Sequence, residues 1–251
     1  MATTLTLKAG TSWADAWRRC LAVAPEAFRD DRVLNLWNAA WQADGRALPA
    51  GSPVDGSPIA GPPRLDRATA RQAVRASLDQ HRAWRHIPLE ERRARVAATL
   101  DALAEHRELL ALLLVWEIGK PWRLAQADVD RAVDGVRWYV DGIEPMLADR
   151  APLDGPVSNI ASWNYPSNGA LVATLSTDDR STYDRLAPQI RAFKVGHGTP
   201  RSRGDRDELF GGFGASWRGA FVGGELLVRA VTRGPAGERL PGNFPEYQLM
   251  P

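Results

Sequence analysis

The chain holds one cysteine, Cys20, and four histidines, His81, His86, His106 and His197. A thiol acts as a nucleophile only when it is exposed and its pKa is lowered, usually by a neighbouring cation or base. Cys20 and Leu21 share one face of a helical segment with Trp13 and Trp17, so a buried, inert thiol is expected. The histidines are scattered without metal spacing and read as surface or capping residues. The stretch GGFGASW (211–217) approaches Gly-x-Gly-x-x-Gly, but Trp217 stands where the third glycine belongs and no Walker lysine follows. It reads as a backbone turn feeding an edge strand rather than a phosphate cradle.

The bulk composition narrows the partners. Hydrophobic residues make up 44% and charged residues 25%, with a formal net charge of +2, ordinary values for a globular protein. Lysine occurs only at Lys8, Lys120 and Lys194, so the cations are almost all arginine. Acids are interleaved with them, as in LEERRARV and RSRGDRDELF, and a nucleic-acid partner is not expected. The longest apolar run, Leu109 to Trp116, is too short to span a bilayer, so no membrane partner is expected either. MATTLTLKAG lacks the basic and apolar regions of a secretory signal, and a lone cysteine forms no internal disulfide. A cytoplasmic location follows as the expectation.

The elements that would position any chemistry change character along the chain. Residues 11–29 alternate at helical spacing, and the Pro/Gly-rich stretch 47–63 must form turns and short extended pieces. Asp66 reads as a helix cap, with Ala70, Val74, Leu78 and Trp84 tracing a buried stripe behind it. A long helix then starts near Pro88, with Glu90 and Glu91 in its first turn. Its face runs from Val96, Leu100 and Leu103 through Leu110, Leu113 and Leu114, and Gly119-Lys120-Pro121 stops it. Another helix covers about 122–144, with Val129, Val133, Val136, Tyr139 and Val140 inward. After Pro152 come predicted strands at 155–164 and 169–177, a short helix in DDRSTYDRLAPQIRA, a strand in FKVGHG and a last strand ELLVRAV (225–231).

One junction is out of pattern. Neighbouring parallel strands need a crossover of a dozen or more residues, yet the strand at 156–163 is followed almost at once by another. Either the two pair antiparallel or a segment is missing between them.

Several motifs carry a family resemblance. VWEIGKPWRLAQADVDRAVDGVRWYV (115–140) resembles the Glu-x-Gly-Lys-Pro helix-turn-helix signature of the aldehyde dehydrogenase superfamily. GPVSNIASWNYP (155–166) resembles that family's strand ending in Pro-Trp-Asn-Tyr-Pro, with Ser162 replacing the first proline. Upstream pieces fall in the family's order, so this match covers roughly residues 35–166. SNGALVATLSTDD (167–179) and ELFGGFGASWRGAFVGGELLVRAVTRG (208–234) resemble the family's far C-terminal end, including its oligomerisation strand. The two blocks, half a chain apart in the family, abut at Pro166–Ser167, the junction already singled out.

The resemblance implies an α/β, partial aldehyde dehydrogenase fold. Residues 1–166 would supply the helical N-terminal region and the start of an incomplete Rossmann-type nucleotide-binding sheet. Residues 167–251 would supply the end of the catalytic domain and the C-terminal oligomerisation strand. It implies aldehyde oxidation with NAD or NADP, and Asn164 as the amide donor of the oxyanion hole. Ile160, Ala161, Ser162 and Trp163 would line the nicotinamide and ribose. The Gly-Gln-x-Cys and Glu-Leu-Gly-Gly blocks, with the nucleophile and the general base, occur nowhere in the 251 residues. Nor do the Lys-Pro-Ser strand end or the glycine turn for the pyrophosphate. The expectation is therefore a catalytically dead family member. As alternatives, the final strand (225–234) pairs with a full-length family member or forms a homo-oligomer, or Cys20 serves an active enzyme. The partner of an active enzyme would be a small-molecule aldehyde.

Overall fold

The computed structural model describes residues 8–61, 63–153, 170–190, 192–198 and 224–238. The chain divides into two compact units, Met1–Asp141 and Gly142–Pro251. The expected division at Pro166–Ser167 falls outside the described residues.

The first unit opens with helix α1 (Trp13–Val23). The Ser12 hydroxyl oxygen caps it, accepting the Asp15 N–H at 3.2 Å, and Pro25 follows its end. Trp13 stacks on Trp17 with centroids 5.7 Å apart, and Trp17 meets Phe28 edge-on at 4.9 Å. Two tight antiparallel hairpins come next, β1 (Phe28–Arg29) with β2 (Arg32–Val33) and β3 (Asn35–Trp37) with β4 (Ala40–Gln42). Their turn residues, Asp30-Asp31 and Asn38-Ala39, all have positive φ, the twist that two-residue hairpins require. The stretch 47–63 forms the expected short pieces. β5 (Arg46–Ala47) pairs with β8 (Pro63–Arg64), and β6 (Ala50–Gly51) with β7 (Pro58–Ile59).

Helix α2 (Arg67–Trp84) starts at Asp66, whose carboxylate accepts the Thr69 N–H at 2.8 Å as expected. Of the stripe assigned to its buried side only Ala70 is half-buried; Val74 is 59% accessible, Leu78 40% and Trp84 36%. The other half-buried residues of the helix are Thr69, Ala73, Ala76 and His81. Apolar periodicity reports which residues share a face, and it does not supply the surface that covers them.

The long helix expected from Pro88 to Ile118 is two helices, α3 (Leu89–Glu105) and α4 (Arg107–Ile118). His106, at φ −98° and ψ 17°, leaves helical geometry between them. The break turns Leu109, Leu112, Val115 and Trp116 into the core and leaves Leu110, Leu113 and Leu114 half-buried. A helix apolar on every side is built to be surrounded, and α4 is the centre of the unit. Around it lie Ala16 of α1 and Ala125 and Val129 of α5 (Trp122–Met146), with Trp13, Cys20, Val54 and Trp122 packed alongside. Within α5, Val133, Tyr139 and Val140 are half-buried as expected, whereas Val136 is exposed. Gly119 ends α4 in the left-handed region at φ 71°, as the Gly-Lys-Pro sequence requires.

In the second unit, β10 (Ala170–Leu175) and β11 (Ala192–His197) are parallel neighbours joined through α6 (Arg180–Leu186) and a 3-10 turn, Ala187–Gln189. This is one βαβ unit, in agreement with the α/β class. The preceding strand, β9 (Ala151–Pro152), pairs antiparallel with β12 (Thr232–Arg233). Arg150 Nε donates to Thr232 Oγ1 at 2.6 Å, and that hydroxyl donates to the Val228 carbonyl at 2.9 Å.

The expected C-terminal strand at 225–231 is corrected. Glu225–Ala230 is helix α7, with Val228 buried and Leu227 and Val231 exposed. A short apolar run cannot be assigned to strand or helix from periodicity alone. The strand of this region is Thr232–Arg233, and it is already paired within the chain.

Candidate functional site

The residues that the resemblance marks for chemistry, Asn164 with Ile160, Ala161, Ser162 and Trp163, lie outside the described residues. Three described features bear on the same chemistry: the thiol, the turn after α4, and the strand ends of the βαβ unit.

Cys20 sits near the C-terminal end of α1, half-buried against the hydrophobic cluster. Burial pushes its thiol pKa up, the charge of Glu117 adds to that, and Arg19 opposes it weakly. A nucleophilic cysteine needs the opposite environment. Among the described residues no group of three histidine, cysteine, aspartate or glutamate side chains is placed to hold a metal ion.

The turn after α4 is organised for structure. Trp116 O belongs to the last four carbonyls of the helix, which lack intrahelical partners. It accepts the Ser52 hydroxyl at 2.5 Å, and the same Oγ accepts the Val54 N–H at 3.2 Å. A Cβ on Gly119 would stand 3.3 Å from Pro53 Cγ, so the glycine also admits the 52–54 segment. Lys120 is ion-paired with Asp128, which also meets Arg131 at 3.2 Å. The turn is thus tied to the start of α5. Sequence reading missed Ser52, because nothing in GSPV separates a buried hydroxyl from a turn residue.

Dinucleotide cofactors bind α/β units at the carboxyl ends of parallel strands, with the pyrophosphate on glycine-rich backbone at a helix N-terminus. The β10–α6 connection has no glycine and carries Asp178 and Asp179. Asp179 caps α6 itself. Its carboxylate accepts the N–H groups of Ser181 (2.9 Å) and Thr182 (3.2 Å) and both of their hydroxyls. These donors hold its pKa down to about 2. A permanent carboxylate thus takes the donors that a pyrophosphate would use and repels that group. This strand end does not fit a dinucleotide; the residues that the resemblance marks for the cofactor, Ile160 to Trp163, lie elsewhere in the chain and outside the described residues.

A profile of the aldehyde dehydrogenase family matches residues 41–170. That is half of the chain, and it contains the Glu-Ile-Gly-Lys-Pro turn and the residues around Asn164. The chain belongs to the aldehyde dehydrogenase family. Malonate-semialdehyde dehydrogenase 2 of Shouchella clausii (strain KSM-K16) is 30% identical over 135 residues, 52% of this chain and 26% of that one. Succinate-semialdehyde dehydrogenase [NADP(+)] of Escherichia coli (strain K12) is 24% identical over 154 residues, 56% of this chain and 32% of that one. Among solved structures, an aldehyde dehydrogenase from Brucella melitensis biovar abortus 2308 aligns at 24% identity and TM-score 0.43. It covers 56% of this chain and 30% of that one. The chain therefore spans about a third or less of the length of these aldehyde dehydrogenases.

Proposed function

We propose that this chain is an aldehyde dehydrogenase-family protein that does not itself oxidise aldehydes. The observation that carries the reading is the state of its only thiol. Cys20 is half-buried in the core cluster with a raised pKa, and the 251 residues offer no second cysteine to attack a carbonyl. The acidic cap of α6 leaves the described βαβ unit without free donors for a phosphate group. Asn164 remains the position whose amide would polarise an aldehyde oxygen, and Ile160 to Trp163 those that would flank a nicotinamide. A donor aimed at an oxyanion lowers a barrier only when a nucleophile creates that oxyanion.

A subunit role, alone or with a full-length family member, is the second reading. Residues 225–234 no longer favour it as a strand edge, because Glu225–Ala230 is helical and Thr232–Arg233 is paired. The test is NAD(P)H formation by the purified chain with a panel of aldehydes, beside Cys20→Ala. No turnover in either protein is expected. Turnover that disappears in Cys20→Ala would overturn the reading and place the active site at that thiol.

A further inference from the structure

The arginines of the first unit are interleaved with acids along the sequence, but helix α2 gathers them in space. It holds Arg67, Arg71, Arg75 and Arg82, with Arg85 at its C-cap, against the single acid Asp79. Arg67, Arg71 and Arg75 follow one another at four-residue steps, and Val74, Leu78 and Arg82 fall on the same side by helical spacing. All six are exposed. Arg82 is paired with Asp79 at 2.8 Å, whereas among the described residues Arg67, Arg71 and Arg75 make no ion pair. Val74 and Leu78, at 59% and 40% accessible, stand within this row of guanidiniums rather than behind it. The half-buried residues of α2 are Thr69, Ala70, Ala73, Ala76 and His81, none of them in the arginine row, so the helix displays that row to solvent.

We infer, against the expectation of no membrane partner drawn from the short apolar run at 109–116, that this face of α2 docks on an anionic lipid surface. The charge calls for an anionic partner, and the two apolar side chains decide which one. A nucleic-acid backbone offers them nothing, while a bilayer interface accepts Val74 and Leu78 below the headgroups as the arginines reach lipid phosphates and carboxylates. With two modest apolar residues the association is weak and reversible, and it rests on the charged lipid. No described helix is long and apolar enough to cross the membrane, and docking requires none.

The test is co-sedimentation of the full chain with vesicles of phosphatidylcholine, with and without about a third phosphatidylserine, at low and physiological salt. Each cation near such a surface contributes about a factor of 5, from roughly 1 kcal/mol. Three unpaired arginines should therefore raise partitioning onto the anionic vesicles by about 100-fold. Arg67→Gln/Arg71→Gln/Arg75→Gln should abolish that gain, because glutamine keeps the helix and removes the charge. Arg18→Gln/Arg29→Gln/Arg123→Gln, equal in charge and outside α2, should retain most of it. Val74→Ser/Leu78→Ser should weaken binding about 10-fold, since apolar area no longer enters the interface. No binding to anionic vesicles at low salt would overturn the inference. So would equal losses in the two arginine triples, or unchanged binding by the serine variant, which would indicate a purely electrostatic contact of the kind a nucleic acid makes.

Discussion

Ser52→Ala tests whether the segment before α2 is clamped onto the end of α4. Ser52 is 3% accessible and Trp116 5%. Its hydroxyl donates to Trp116 O at 2.5 Å and accepts from Val54 N–H at 3.2 Å. The backbone bonds of this turn, Ser52 N–H to Ser57 O and Gly56 N–H to Ser52 O, both 2.8 Å, survive the substitution. Alanine therefore removes one buried hydroxyl and leaves a buried carbonyl and a half-buried N–H without that partner. An orphaned buried group costs about 1–3 kcal/mol, partly offset by the hydroxyl no longer being desolvated. The net expectation is a loss of about 2–3 kcal/mol. For a unit of this size that lowers the melting temperature by roughly 5–10 °C. The control is Ser77→Ala on α2, an exposed serine whose hydroxyl donates to Ala73 O at 3.0 Å. That carbonyl lies inside a helix, so its loss should change stability by less than about 0.5 kcal/mol. Urea titrations of both variants decide the matter. Equal stability of Ser52→Ala and Ser77→Ala would refute the clamp.

Three further outcomes follow from the same structure. Gly119→Ala forces a left-handed φ of 71° on an L-residue and brings its Cβ to 3.3 Å from Pro53 Cγ. It should destabilise by about 1–2 kcal/mol in chemical denaturation. Cys20 should react with iodoacetamide at least about 10-fold more slowly in the native chain than in urea, because burial raises its pKa and hides the thiolate. Equal rates would place the thiol at the surface. Asp179 should titrate in the folded protein near pH 2, below the unfolded value of about 3.9. Its contribution to stability is thus fully present above about pH 4 and is lost as the pH falls through about 2. A carboxyl NMR titration reads it directly, and Asp179→Asn should flatten that part of the acid-stability profile.

What the sequence made legible was local. Asp66 as a cap, Gly119 as a left-handed stop, and the strand–helix–strand order of 170–197 depend on neighbours within a few residues, and the structure has each of them. What it did not make legible depended on a partner elsewhere. The helix from Pro88 breaks at His106 because the α4 side chains that meet the core are Leu109, Leu112, Val115 and Trp116, and a leucine-rich run fits several faces equally well. ELLVRAV was read as a strand because its residues suit one, but only one of its apolar side chains, Val228, is buried. The residues around Asn164 were recognised by resemblance and not by geometry, so their chemistry rests on family membership.

The exposed side of α2 and the acidic cap of α6 lead to one conclusion about the family resemblance. Both helices are capped as their sequences direct, by Asp66 and Asp179. Asp179 spends the α6 donors on a carboxylate of its own chain, and Val74 and Leu78 face solvent rather than a core. A helix can keep its cap, its register and its glycine stop whatever its other face meets, because caps and stops are satisfied within a few residues. Catalysis by contrast requires a thiolate, a base and a phosphate cradle from distant segments to meet within hydrogen-bonding distance. Local features such as these can therefore form in a chain that aligns with a third or less of its relatives' length, whereas chemistry that rests on long-range contacts needs the distant segments that supply them.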